Sequence, residues 1–483
     1  MSKSIKVNAF YKSVLSVLNI LFPLITAPYI ARILSVDGFT EYNRALSMIA
    51  WFSPFAVFGV YTYGLREISK IRNDRKAVEE LFTKLFLLSL IFCVLVTIVY
   101  LIVVIFVSSR EYRNLYVIAS SQLFFVCFAT DYMNEAGEKY GFILLKSFFC
   151  RLIYVISVFC FVRDESDAWL YMLLSSGSVV LNNLLTFFYN KYNYHFRRIE
   201  FKETVKLIKP LFVVFLLVNS SMLYTILDRF ALTYFGDKLQ LTYYHISQVL
   251  SNSVVQISSS LILVTIPRLS FYWGNNKKDE YYELLEKSSS LFLILSIPCC
   301  IGMAYLSKDV MYLYAGEKYL DGSFPLFLFC FRYLISNFDT ILSKQILLAT
   351  GNEKCLTKIY YTGGIYNILL KMILIISGNL NASSCIITTA SSDVLVIVLQ
   401  TIQIHKKNIR NKVFNGNLII PFISSLLFVF IIKAISFKIP NFTIVFSILR
   451  CALSVAICAL FYFLVLLFSR NKVFVNFLHG DRK

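Results

Sequence analysis

The sequence predicts an all-α polytopic membrane protein of about 14 transmembrane helices: two six-helix bundles in parallel pseudo-repeat, then two C-terminal helices. Three observations carry this reading. Apolar runs of about 20 residues, long enough to cross a hydrocarbon core roughly 30 Å thick, recur along nearly all of the 483 residues. Of these residues 58% are hydrophobic and 16% charged, with 45 Phe and 31 Tyr. With a mean hydropathy of +0.67, this leaves little polar material for a soluble domain. Lys and Arg gather in every second gap between the runs, the pattern that sets orientation in a membrane.

The first run, 8–34, follows Lys3 and Lys6 and lacks a small-residue cleavage site, so it reads as a retained helix rather than a secretory signal. The runs at 41–65 and 81–107 enclose the first basic gap, with Arg66, Lys70, Arg72, Arg75 and Lys76. The run at 112–132 gives the weakest signal, and those at 141–162 and 168–190 flank the acidic Asp164, Glu165 and Asp167. A second basic segment, from Lys191 through Arg197, Arg198, Lys202 and Lys206 to Lys209, leads into 209–235, 241–267 and 284–306. Residues 307–321 form the longest base-poor connection; 322–349, 356–377 and 383–404 follow. The last basic group, Lys406, Lys407, Arg410 and Lys412, precedes 416–437 and 443–468. The domains expected are a bundle at 1–190, a basic cytoplasmic linker at 191–208, a second bundle at 209–404, and two additional helices with a cytoplasmic tail at 405–483.

The basic loops hold roughly 28 Lys and Arg against about 8 on the other side, which places both termini in the cytoplasm and requires an even number of spans. The formal charge of +19 then needs no nucleic acid, because basic loops beside anionic lipid account for it. No GxxxxGK[ST] phosphate loop occurs, which argues against ATP hydrolysis, and no base-poor loop exceeds about 20 residues, too short for an outer catalytic domain. The eleven cysteines lie mostly inside apolar runs with no CxxC pair and read as small core hydrophobes, with neither disulfides nor metal expected. His195, His245, His405 and His479 are scattered, and none is assigned to a metal or a proton relay; no cofactor is expected.

A weak repeat about 200 residues apart ties the halves together in landmarks rather than in continuous identity. Arg32 matches Arg229, and Arg66 matches Arg268. Ala136-Gly137-Glu138-Lys139 matches the segment Ala349 to Lys354, although AGEKY also recurs at Ala315 to Tyr319 on the opposite side. Parallel repeats of this kind rock about a central site in alternating access.

A charge in mid-bilayer costs several kcal/mol, so each one is a functional candidate. Arg151, Arg332, Asp339 and Asp393 lie within runs, Asp228 and Arg229 sit together in the run at 209–235, and Lys146 and Arg450 lie a turn or two inside run ends. Arg332 and Asp339 are seven residues apart and share a helix face, whereas Lys146 and Arg151 are about 140° apart and cannot both face one cavity. Arg151, Arg332 and Asp339 are assigned to an aqueous cavity. Lys84, Lys371 and Lys433 are expected to snorkel to the headgroups. Asp228, Asp339 and Asp393 remain open between ion coupling and structural pairing with an Arg.

Along the first two runs the chain reads Asn8, Tyr11, Pro28-Tyr29-Ile30-Ala31-Arg32, Gly38, Phe58-Gly59 and Tyr63-Gly64-Leu65-Arg66-Glu67. Asp131-Tyr132, Glu138-Lys139-Tyr140, Tyr224 to Asp228 and Ile266-Pro267-Arg268-Leu269-Ser270 continue the pattern. The chain resembles the polysaccharide transporter (O-antigen flippase) family of the multidrug, oligosaccharidyl-lipid and polysaccharide flippase superfamily. It departs at Ser35, where a glycine is usual. The resemblance implies a flippase that carries an undecaprenyl-pyrophosphate-linked oligosaccharide repeat unit, of O-antigen, lipopolysaccharide or another surface polysaccharide, from the cytoplasmic to the outer leaflet of a bacterial inner membrane. It would act beside a polysaccharide polymerase. A pyrophosphate cannot enter hydrocarbon unpaired, and a planar guanidinium that stays charged suits it. On this reading Arg151 and Arg332 are the phosphate contacts in a cationic central cavity, with Arg32, Arg66, Arg229 and Lys146 as further cavity cations. A potential of roughly 100 mV, negative inside, would favour each outward-moving negative charge by about 2.3 kcal/mol. The alternatives are a drug or cation antiporter of the same superfamily, a lipid II flippase and, from the enzyme class, a membrane glycan polymerase.

Overall fold

A computed structural model describes residues 5–219, 222–410, 418–439 and 443–469; Lys3, Lys412 and His479 lie outside them. The described residues are all-helical, without a strand, and the chain divides into two compact units, Met1–Met222 and Leu223–Lys483. Eleven helices among the described residues are long and apolar enough to cross a membrane, and the count of fourteen spans is not reproduced. Large apolar side chains such as Phe106, Ile153, Ile376 and Phe463 face outward, as lipid requires and water would not tolerate over so wide an area.

In the first unit, α1 (Ile5–Ile33) packs along α7 (Tyr140–Phe161), which packs in turn on α8 (Ala168–Asn193). Helices α2 (Val36–Val57) and α4 (Arg75–Val107) lie against α5 (Arg113–Phe124), and α3 (Val60–Ile71) against α6 (Asp131–Ala136). The expected run at 112–132 is therefore α5, a 3-10 turn at Phe125–Phe128 and the start of α6. Asp74 caps α4 by accepting from the Lys76 and Ala77 amides, and the basic linker contains a short helix, α9 (Phe201–Lys206). There Lys84 meets Glu203 at 2.8 Å and Glu80 at 2.6 Å, so it is paired rather than simply snorkelled. The Lys84 ammonium holds the Glu203 carboxyl below its usual range.

The expected continuous run at 41–65 breaks between α2 and α3, where Phe58 (φ 42°) and Gly59 (φ 76°) are both left-handed. The Phe58 amide still donates to Pro54 O at 2.9 Å, and its ring stacks on Phe92 and Phe215 with centroids 4.3 and 5.3 Å away. This aromatic clamp holds a conformation that a bulky residue seldom adopts. A Cβ on Gly59 would stand 2.8 Å from Leu211 O and 2.9 Å from Phe215 N, both backbone atoms of α10 (Ile208–Val218). Gly59→Ala is therefore expected to destabilise by more than about 1 kcal/mol, read as a lowered midpoint of thermal unfolding in detergent.

In the second unit, α11 (Met222–Phe235) precedes α12 (Lys238–Gly274), α13 (Lys278–Tyr305) and α14 (Ser307–Ala315). Within the expected run at 209–235, α10 ends at Val218 with Asn219 as its C-cap, and α11 is described from Met222. α15 (Ser323–Thr340) continues as a π-helix, Ile341–Leu348, and is followed by α16 (Glu353–Ile376) and α17 (Ala382–Lys406). α18 (Ile419–Leu426) and α19 (Phe428–Lys438) divide the next run, and α20 (Ile444–Phe468) closes the fold. α15 lies between α13 and α17, and α16 packs on α17. The turns after α6 and after the π-helix end alike: Lys139 N–H reaches Asn134 O and Asn352 N–H reaches Leu347 O, each at 2.8 Å, across a left-handed Glu138 or Gly351. Asn276, Gly378 and Asn408 close α12, α16 and α17 in the same way, so this cap marks helix ends in general rather than the repeat.

Candidate functional site

Each unit carries its own buried polar cluster. In the first, Lys146 on α7 is 6% exposed, and its ammonium meets Asp131 Oδ1 at 2.9 Å and Oδ2 at 2.8 Å and contacts Thr186 Oγ1 on α8. Asp131 opens α6 immediately after a 3-10 turn, and that break brings its carboxylate to the lysine. Below it, Asn190 donates to Thr130 O and Oγ1, both at 2.9 Å. Glu41 on α2 is buried and held by Arg44 (2.9 Å) and Tyr116 (2.6 Å). Arg151, near the middle of α7, is half-buried and forms no hydrogen bond or ion pair with a described residue. The two end candidates are exposed: Arg32 donates to Pro28 O at 3.0 Å, and Arg66 pairs with Glu67 at 2.8 Å with its guanidinium 5.7 Å from the Tyr63 ring centre.

In the second unit three buried basic residues, Arg332, Lys371 and Arg450, are joined to carboxylates. Arg332 on α15 meets Asp393 on α17 at 2.8 Å. Two turns further along the same face, Asp339 accepts from Gln400 Nε2 at 2.7 Å and from Tyr360 OH at 3.1 Å. Arg332 and Asp339 are seven residues apart, as are Asp393 and Gln400, so two helices running the same way meet in two rungs. Asp339 forms no ion pair among the described residues and sits two residues before the π-helix, a local distortion that often accompanies function. Asp228 on α11 is fully buried; Tyr244 OH (2.9 Å) and Thr389 Oγ1 (2.6 Å) donate to it, and Lys371 stands 3.0 Å away. Beside it Arg229 contacts Gln248, but Arg229 Nε and His245 Nδ1 are buried without hydrogen-bond partners among the described residues. Further toward the C-terminus Arg450 holds Asp309, with its Nε 3.0 Å from Oδ1.

Lys371 corrects an expectation. It does not snorkel: at 2% exposure it is among the most deeply buried charges, because α11 and α17 supply oxygens that a single helix would lack. Lys433, in contrast, is exposed. Glu41, Asp131 as the partner of Lys146, and Thr389 are candidate-site residues that the sequence alone does not single out. One signal was available for Thr389: α17 opens with a hydroxyl-rich stretch, Ser383 to Asp393, unusual in a lipid-facing helix.

A family model described as polysaccharide biosynthesis protein matches residues 5–273. A candidate O-antigen transporter from Shigella dysenteriae is 23% identical over 360 residues, covering 73% of this chain and 88% of its own length. Its counterpart in Escherichia coli K12 is 18% identical over 374 residues, covering 76% and 89%. Among solved structures, the lipid II flippase MurJ in an inward closed conformation aligns with a TM-score of 0.73 at 13% identity, over 97% of this chain and 99% of its own. An inward-facing multidrug resistance MATE family transporter of the MOP superfamily aligns at 0.61 and 11% identity, over 80% and 95%. At these identities the solved structures establish a shared fold.

Proposed function

Since the chain belongs to the polysaccharide biosynthesis protein family, we propose that it is a flippase: it moves an undecaprenyl-pyrophosphate-linked oligosaccharide from the cytoplasmic to the outer leaflet of a bacterial inner membrane by alternating access. The observation that carries this reading is Arg151. A guanidinium in the middle of an apolar helix, with no hydrogen bond or ion pair to a described residue, is costly unless a charged partner visits it. A pyrophosphate headgroup supplies that partner and receives a forked, permanently charged donor in return. Lys146, Arg332, Lys371 and Arg450 are neutralised by carboxylates, so they support Arg151 as the first phosphate contact and Arg332 as a second only when Asp393 releases it.

Transport is tested in proteoliposomes with a fluorescent undecaprenyl-pyrophosphate oligosaccharide under an imposed potential, negative inside, alongside lipid II and a cationic dye. Selective outward movement of the oligosaccharide lipid supports the proposal; dye efflux alone supports a drug or cation antiporter, a reading that rests on Asp339 and its uncharged partners. Cytoplasmic termini predict that Lys202→Cys in the basic linker is labelled by a membrane-impermeant maleimide only after permeabilisation of the cells, whereas Asn379→Cys is labelled in intact ones. The opposite labelling would reverse the orientation.

A further inference from the structure

Lys371 is surrounded as a metal ion would be. Its Nζ stands 2.7 Å from the Cys385 carbonyl oxygen, 3.0 Å from Asp228 Oδ1 and 3.1 Å from Thr389 Oγ1, and it also touches Thr388 Oγ1. Four oxygens thus converge on an ammonium that has three protons to give. They come from two helices other than its own, and Asn367, one turn earlier on α16, reaches the same Thr389 hydroxyl at 3.4 Å. The donor set is one carboxylate, one carbonyl and hydroxyls, with a single formal negative charge at 0% exposure. Hard neutral oxygens around one carboxylate complement a hard monovalent cation.

We infer that this cluster is a monovalent-cation site whose cation is built into the chain: the Lys371 ammonium occupies the place of a sodium or potassium ion and makes the second unit independent of either. The tether has two consequences. The site is filled at every ionic composition, and its charge cannot leave by dissociation. Shortening the side chain leaves the buried Asp228 carboxylate with its hydroxyl neighbours and without its ion-pair partner, an unfavourable state that an inorganic cation relieves.

The test is thermal unfolding of the purified full-length protein in detergent, in chloride salts of sodium, potassium or N-methyl-D-glucamine at one ionic strength and pH. The wild-type midpoint is expected to be the same in all three. Lys371→Ala is expected to unfold earlier in N-methyl-D-glucamine and to recover in a saturable manner, by about 3 °C or more, with sodium or potassium. Adding Asp228→Asn to Lys371→Ala is expected to abolish that recovery. A wild-type midpoint that rises with sodium as steeply as the variant's overturns the inference. So does a Lys371→Ala protein indifferent to the cation, or one that fails to fold in every salt, since a cage able to accept an ion would be refilled.

Discussion

Arg151→Ala is expected to slow outward movement of the lipid-linked oligosaccharide about tenfold or more while the unfolding midpoint stays at or above that of the wild type. The two halves of this expectation come from the same geometry. Arg151 forms no hydrogen bond or ion pair with a described residue, so its removal breaks none there and lightens the load of charge in α7. Losing a charged hydrogen bond to a pyrophosphate removes about 1.5–3 kcal/mol, and each 1.4 kcal/mol is a factor of ten. Arg151→Lys keeps the charge but not the fork, so it should fall between alanine and wild type. Unchanged transport by Arg151→Ala, measured in the proteoliposome assay at equal protein density, would remove this residue from the pathway.

The second large effect concerns Arg332 and Asp393. Either Arg332→Met or Asp393→Leu alone leaves a buried charge without its partner and is expected to cost about 3–5 kcal/mol. The double variant should recover most of that loss, because two apolar side chains can replace a neutral pair. Thermal unfolding of the four proteins measures the coupling. Transport by the double variant separates the roles: near-normal flipping would make the pair a helix clamp between α15 and α17, whereas loss of flipping in a stable protein would make Arg332 a substrate contact.

Span positions were legible because crossing a bilayer demands length and apolarity, both local properties of the chain. The interruptions were not. Phe58 and Gly59 sit inside a run long and apolar enough to read as one span, and the break there depends on Phe92, Phe215 and the α10 backbone, none of them adjacent in sequence. The fate of each buried cation was illegible for the same reason. Arg151 and Lys371 look alike as basic residues inside apolar helices, but one lacks a polar partner among the described residues and the other is enclosed by oxygens from α11 and α17. The spacing of Arg332 and Asp339 did place both on one face; that this face meets Asp393 and Gln400 required the neighbouring helix.

The buried lysines also bear on how the chain enters its membrane. Lys146 on α7 is held partly by Thr186 on α8, and Lys371 on α16 by Cys385, Thr388 and Thr389 on α17; in each unit the lysine-bearing helix depends on the one synthesised directly after it. Released alone into lipid, such a helix would carry a bare ammonium, at a cost that reaches about 2.5–3.5 kcal/mol at the bilayer centre and is smaller toward the helix ends where these lysines lie. The helical hairpin, rather than the single helix, is therefore the expected unit of insertion, with α7 and α16 held beside the insertion machinery until α8 and α17 emerge from the ribosome. Chimaeras and truncations that divide α7 from α8, or α16 from α17, would strand a charge during biogenesis even where the finished fold could accommodate the junction.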